Sequence, residues 1–167
     1  MTKARAAAGS FIFLLLAPGV MAGVVPWLLT GWESNGWPLL VQTLGALLIA
    51  GGVGVLLHAF GRFVVEGLGT PAPVAPTEQL VVGGLYRHVR NPMYVAVAAT
   101  IIGQALLLGR PVLLAYAVLF MAVVAAFVHL YEEPTLMGRY GEEYAAYRRA
   151  VPAWLPRLHT TFEKPPG

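Results

Sequence analysis

Hydrophobic and polar positions divide the chain into four long apolar stretches followed by a mixed, tyrosine-rich C-terminal segment. The stretches run from Ser10 to Thr30, Leu39 to Phe60, Pro92 to Leu108 and Pro111 to Tyr131. Each approaches the ~20 residues that a helix needs to cross ~30 Å of hydrocarbon. The third is the shortest and is expected to stand nearly upright or to begin at the interface. Pro18 and Pro26 interrupt the first, which a membrane helix tolerates when neighbours satisfy the freed carbonyls. Lys3 and Arg5, an apolar run and Val20-Met21-Ala22 imitate a secretory leader, but the run continues through Val24, Val25, Trp27 and Leu29. That is too long for a leader core, so a retained span is expected. In the second stretch Ala46, Ala50 and Gly54 recur at intervals of four, extended by Gly51 and Gly52, and predict a face of close helix contact. Beyond Pro134, Leu136, Tyr140, Tyr144, Tyr147 and Val151 keep helical spacing while Arg139, Glu142, Glu143, Arg148 and Arg149 take other faces. This predicts one amphipathic helix lying on the membrane surface or over the span ends, closed by Val151 to Pro156. The fold class expected is an all-α integral membrane protein with four transmembrane helices plus a cytoplasmic C-terminal amphipathic helix.

Composition strengthens the membrane reading. Of 167 residues, 57% are hydrophobic and only 11% charged, against roughly 25% charged in a soluble domain. With a mean hydropathy of +0.68, the chain lacks the polar groups to cover a water-facing surface. The absence of cysteine excludes disulfides, thiolate nucleophiles and cysteine metal sites. His58, His88, His129 and His159 lie far apart without metal-ligand spacing, so no metal is expected. The net charge of +3 is explained by the bilayer better than by nucleic acid, for which no partner role is expected.

Ten of the eleven basic residues fall on one side if the chain crosses four times. Lys3 and Arg5 precede the first span, Arg62, Arg87 and Arg90 lie between the second and third, and Arg139, Arg148, Arg149, Arg157 and Lys164 follow the fourth. Arg110 alone takes the other side. The positive-inside rule makes the basic side, with both termini, cytoplasmic, in the cell inner membrane, and Trp27, Trp32 and Trp37 mark the opposite interface. Gly67 to Thr77 reads as a linker. It divides a two-span membrane anchor, residues 1–66, from a catalytic half, residues 67–167, with two further spans, a cofactor-binding loop and the C-terminal helix.

The chemistry gathers on the basic side. Gly83-Gly84 offers a turn where backbone can approach a ligand. Asn91-Pro92 carries a helix-start signature, asparagine as N-cap and proline first in the helix. Free N–H groups there suit a carboxylate. His129, Glu132 and Glu133 stand at the inner end of the fourth span, where ionisable groups are costly and point to function.

Gly84-Leu85-Tyr86, Arg90-Asn91-Pro92-Met93-Tyr94, Glu132-Glu133 with Leu136, Tyr140-Gly141, Tyr144 and Tyr147, and Val151-Pro152 together with Pro156 resemble the isoprenylcysteine carboxyl methyltransferase superfamily, which includes phospholipid methyltransferases. The resemblance spans about Leu80 to Leu158. It implies a methyltransferase that binds S-adenosyl-L-methionine without a Rossmann domain, in accord with the lack of a GxGxxG motif. Carried over residue by residue, it implies cofactor contacts from the backbone of Leu80 and Val81 and from Tyr86, Asn91, Tyr94 and Glu132. His129, with Glu133 beside it, is the candidate general base. Two positions depart from the pattern: asparagine at 91 where histidine is usual, and Val128 where the carboxyl methyltransferases have an arginine for the substrate carboxylate. The expected acceptor is therefore a small lipophilic amine, thiol or other neutral molecule at the inner membrane surface. The alternatives are an isoprenylcysteine-type carboxyl O-methyltransferase, a membrane reductase using a nicotinamide, and a non-enzymatic scaffold or transporter subunit.

Overall fold

The computed structural model describes residues 3–66, 79–159 and 162, with residues 3–7 described by backbone alone. The expected linker Gly67 to Thr77 lies outside the described residues. Among those described, every regular element is helical: α1 (Lys3–Leu16), α2 (Val25–Thr30), α3 (Leu39–Val65), α4 (Pro92–Leu108), α5 (Val112–Phe127), α6 (Glu133–Tyr140) and α7 (Glu142–Ala150).

Among the described residues, three helical runs are long and apolar enough to cross a membrane: Ala8–Thr30, Leu39–Val65 and Val112–Tyr140. The protein is an integral membrane protein. Helix α4 has 17 residues, so it extends about 26 Å and falls short of that length. It is nevertheless the centre of the bundle, packed along α3 and α5. Its Ala96, Val97, Ala98, Ile101 and Ala105 form one core with Leu56 and Phe60 of α3 and Leu113, Ala117 and Phe120 of α5.

Of the small residues expected to make this packing, Gly52 alone does so. Ala46, Ala50, Gly51 and Gly54 face outward. The close approach is made by Gly45, Gly52 and Gly103: a Cβ on Gly45 would stand 2.5 Å from the Gly103 carbonyl oxygen, and one on Gly52 2.8 Å from that of Ala96. Where lipid is as apolar as the side chains, such backbone proximity supplies the van der Waals gain that holds helices together. The sequence offered two small-residue faces, and α4 packs against the one containing Gly45 and Gly52.

Prolines shape the first and last spans in the same way. Pro26 has no N–H to offer, and Val20–Val24 widens into a π-turn in which Val25 N–H reaches back to the Val20 carbonyl. The carbonyls this releases are taken by other helices. Gln104 Nε2 donates to Ala22 at 2.6 Å and Tyr116 Oη to Met21 at 2.8 Å. Pro134 produces the second π-turn, Val128–Glu132, where Glu133 N–H bonds the Val128 carbonyl. The fourth apolar run therefore does not stop near Tyr131. It continues through Pro134 to Tyr140, and the expected single amphipathic helix is divided at Gly141, whose φ of 54° with ψ of −126° suits a residue without Cβ.

At one end of the bundle the segment 31–38 meets the turn after α4. Asn35 N–H donates to Leu108 at 2.8 Å, its Nδ2 to Gly109 at 3.1 Å, and Trp32 Nε1 to Gln104 at 3.2 Å. At the other end, residues 151–157 run beside the segment leading into α4. Arg90 N–H donates to Pro152, Asn91 N–H to Ala153 and Arg157 N–H to His88. Tyr144, Tyr147 and Val151 close over Leu80 and Val82 as a second apolar cluster.

Candidate functional site

A cavity of about 450 Å³ opens where these elements converge. Its apolar lining comes from Phe13 and Met21 of the first span, Phe60 and Phe63 of α3, and Phe120, Val124 and Val128 of α5 and the π-turn. Its polar lining includes Tyr86, Asn91, Tyr94, Glu132, Tyr144 and Tyr147.

Glu132 reaches this wall through the π-turn. An additional residue in a turn rotates the rest of the helix by about 100°, so that two adjacent glutamates serve different neighbours. Glu132 accepts a hydrogen bond from Tyr94 Oη at 3.0 Å. Glu133, its side chain 9% exposed, instead pairs with Arg90 Nη1 at 2.6 Å and with Arg148 Nη2 at 3.4 Å. Arg90 also donates to the Val151 carbonyl at 3.0 Å and to Tyr144 Oη at 3.2 Å. This buried network, made through Nε and Nη1 of Arg90, ties the start of α4 to α6 and α7, and Arg90 also lines the cavity.

Tyr86, Tyr144 and Tyr147 on this wall are held as neutral phenols. Burial, reinforced by neighbouring Tyr147 and Glu132, pushes Tyr86 well above the ordinary phenol range. Its hydroxyl is buried and meets no hydrogen-bond partner among the described residues, so a donor is left over on the wall. Tyr147 is raised chiefly by burial, with Arg90 opposing, and donates to the Tyr86 carbonyl at 2.7 Å. Tyr144 is raised by burial in the same way.

A family model described as phospholipid methyltransferase matches residues 40–143, which is more than half of the chain. The chain belongs to the phospholipid methyltransferase family. It is also similar to a protein-S-isoprenylcysteine O-methyltransferase of Schizosaccharomyces pombe, with 35% identity over 82 residues covering 47% of this chain and 34% of that protein. The chain thus matches about a third of that relative's length. The family match takes in α3 to the start of α7 and leaves out the first span, although Phe13, Ala17, Pro18 and Met21 line the cavity.

Leu80, Val81, Tyr86, Asn91, Tyr94 and Glu132, the residues for which the family resemblance implies cofactor contact, all lie on the wall of this one cavity. The details differ from expectation at Asn91. It occupies the N-cap position, but its side chain makes no cap hydrogen bond. Its Nδ2 donates to the Ala153 carbonyl at 3.1 Å, and its own N–H goes to the same oxygen. Asn91 therefore fastens the C-terminal segment and does not offer a free N–H to an anion.

His129 and Glu133, the candidate base and its neighbour, are not on the wall. The His129 side chain is 74% exposed, with Nδ1 3.8 Å from Glu133. In the widened turn Val128 and Glu132 line the cavity, joined by the half-exposed Tyr131, while His129 and Leu130 face out. Among the described residues no group of histidine and carboxylate side chains is arranged to hold a metal.

Sequence reasoning missed the contribution of α3. Glu66, at the end of that helix, accepts from the backbone N–H of Gly83 at 3.1 Å and of Val82 at 3.4 Å, while Arg62 Nη2 holds it at 2.7 Å. A Cβ on Gly83 would fall onto the Arg62 guanidinium and the Glu66 carboxylate, and one on Gly84, whose φ is +59°, would stand 2.6 Å from His58 Nε2. Gly83-Gly84 brings backbone close to α3. The i, i+4 spacing of Arg62 and Glu66 was readable; their partner sixteen residues later was not.

Proposed function

We propose that this chain is an integral membrane methyltransferase that uses S-adenosyl-L-methionine to methylate a small lipophilic acceptor at the inner membrane surface. One observation carries the reading: six residues from separate segments, singled out by the family resemblance, share a cavity lined by both polar and apolar side chains. The residues fit such a cofactor. The unpartnered Tyr86 hydroxyl and the Glu132 carboxylate, with Tyr94 beside it, suit a molecule rich in hydroxyl and amine groups. Tyr86, Tyr94, Glu132 and the backbone of Leu80 and Val81 would hold it, with Asn91 fixing the segment above. When bound, the cofactor supplies a methyl group made electrophilic by its sulfonium.

The protein's own task is to orient and to exclude water. The apolar lining formed by Phe13, Phe60, Phe120 and Val128 seats the acceptor and keeps solvent away from the transfer. An acceptor that attacks as a free amine needs no base from the chain. One that must lose a proton has Glu132 on the wall, and His129 lies outside it.

A second reading, carboxyl O-methylation of an isoprenylcysteine-like acceptor, is favoured by one specific side chain. Arg139 lines the cavity, stacks over Tyr140 with 5.7 Å to the ring centroid and has no carboxylate partner among the described residues. It could meet a substrate carboxylate where Val128 cannot.

For the membrane we propose four spans, with α4 as the third, both termini cytoplasmic, and the cell inner membrane as the location. The meeting of segment 31–38 with the α4–α5 turn at one end, and the gathering of Arg62, Arg87, Arg90, Arg139, Arg148 and Arg149 at the other, support it. The division into an anchor, 1–66, and a catalytic half, 67–167, describes the polar groups, whereas the apolar wall draws on both parts.

The test is direct. Detergent-purified protein is incubated with labelled S-adenosylmethionine and either N-acetyl-farnesylcysteine or a panel of membrane-soluble amines and thiols. Transfer to the panel supports the first reading, and methyl-ester formation on the prenylcysteine supports the second. Failure to bind the cofactor at all would refute both.

A further inference from the structure

We infer that Glu66, buttressed by Arg62, is a positioning residue that sets the backbone of the Leu80–Gly83 segment for the cofactor. The inference rests on the methyltransferase reading above.

Leu80 to Gly83 is short, belongs to no helix, and must nevertheless present backbone at a fixed place on the cavity wall. Its side chains are secured on alternating sides. Leu80 and Val82 pack against Tyr144, Tyr147 and Val151, and Val81 packs with Ala59 and Tyr86. Apolar contacts of this kind fix depth but leave sliding along the segment weakly resisted. Glu66 adds a directional restraint, because one carboxylate accepts from two successive N–H groups, those of Val82 and Gly83. Such charge-assisted bonds have directional preference and are roughly twice as strong as neutral ones. Arg62 limits the carboxylate to one orientation and offsets its charge beside the membrane. The next turn then starts from a fixed point: Tyr86 N–H bonds the Gly83 carbonyl at 3.2 Å, which carries Tyr86 to the wall. Register at the site is thus set from α3, in the half of the chain that bears none of the motif residues.

The test compares wild type with Glu66→Ala and Glu66→Gln in the full-length protein, without and with S-adenosylmethionine. Without ligand, hydrogen exchange at Val82 and Gly83 should accelerate in Glu66→Ala while exchange within α4 stays unchanged. Calorimetry should show cofactor affinity falling by about tenfold in Glu66→Ala. Val82 N–H is held by Oε1 and Gly83 N–H by Oε2, so Glu66→Gln keeps an acceptor for one of the two amides and should recover part of that loss, a rescue that general destabilisation would not give. If Glu66→Ala fails to fold, Glu66→Gln and Arg62→Ala carry the test, with a smaller loss expected in each. Wild-type affinity in Glu66→Ala, or loss in Glu66→Ala and Glu66→Gln to the same degree, would overturn the proposal alone. Wild-type protein that binds no cofactor would instead overturn the functional reading beneath it.

Discussion

The two π-turns, Val20–Val24 in the first span and Val128–Glu132 in the last, arise from the same cause and serve different ends. Each is followed by a proline that has no N–H for the helical ladder, Pro26 in one case and Pro134 in the other. In the first, the released carbonyls of Ala22 and Met21 are bonded by Gln104 and Tyr116 from neighbouring helices, and the turn becomes a joint between spans. In the second, the rotated register directs Glu132 to Tyr94 and the cavity while Glu133 turns to Arg90 and Arg148. A backbone irregularity in a membrane helix is therefore not itself a sign of a site. Its role depends on the partners that the freed groups and rotated side chains meet.

This contrast can be broken by substitution. The largest effect is expected at the second turn: Glu132→Gln should weaken S-adenosylmethionine binding by about 1–3 kcal/mol, with Tyr94→Ala in the same range, because a buried polar partner is left unpaired. Calorimetry on the purified variants measures it, and unchanged affinity in both would remove the second turn from the site. Next in size is Gln104→Leu, which leaves the Ala22 carbonyl and Trp32 Nε1 without their partner. Unfolding by SDS in mixed micelles should show a loss of about 1–2 kcal/mol, with cofactor affinity unaltered in the folded fraction. A fall in affinity instead would make the first turn part of the site.

Tyr116→Phe removes a single interhelical bond at the first turn and should cost about 0.6 kcal/mol in the same assay. The smallest effect is expected for His129→Ala. An outward-facing histidine at the second turn should change neither cofactor affinity nor turnover by more than about twofold, since its largely exposed side chain lies 3.8 Å from Glu133 at the rim of the network, where an ion pair contributes little. A large drop in turnover with affinity intact would restore His129 as the base.

Much of the fold could be read along the chain because lipid imposes simple rules. Apolar length and composition led to an all-helical membrane protein without reference to packing, whereas the number of spans expected, four, exceeds the three helices long enough to cross among the described residues. The family motifs likewise brought Leu80, Val81, Tyr86, Asn91, Tyr94 and Glu132 together before their cavity was seen. Other features depended on contacts between segments distant in sequence. Of the expected face, Ala46, Ala50, Gly51 and Gly54 point outward, and α4 packs against Gly52 together with Gly45, which that face did not include. Asn91 had the residue type of a cap and was diverted to Ala153.

Local physical chemistry determined this protein's solvent, its helices and the types of groups at its basic end. Burial of apolar length and the restriction of backbone by proline act over a few residues, so they are written in sequence order. Only the tertiary structure decided that Glu132 faces the cavity and His129 does not, that Glu133 is consumed by arginines, and that Glu66 holds the Val82–Gly83 backbone. Those outcomes depend on the register of one helix against another, and a single additional residue in the turn before Glu133 is enough to change which side chain meets the cavity.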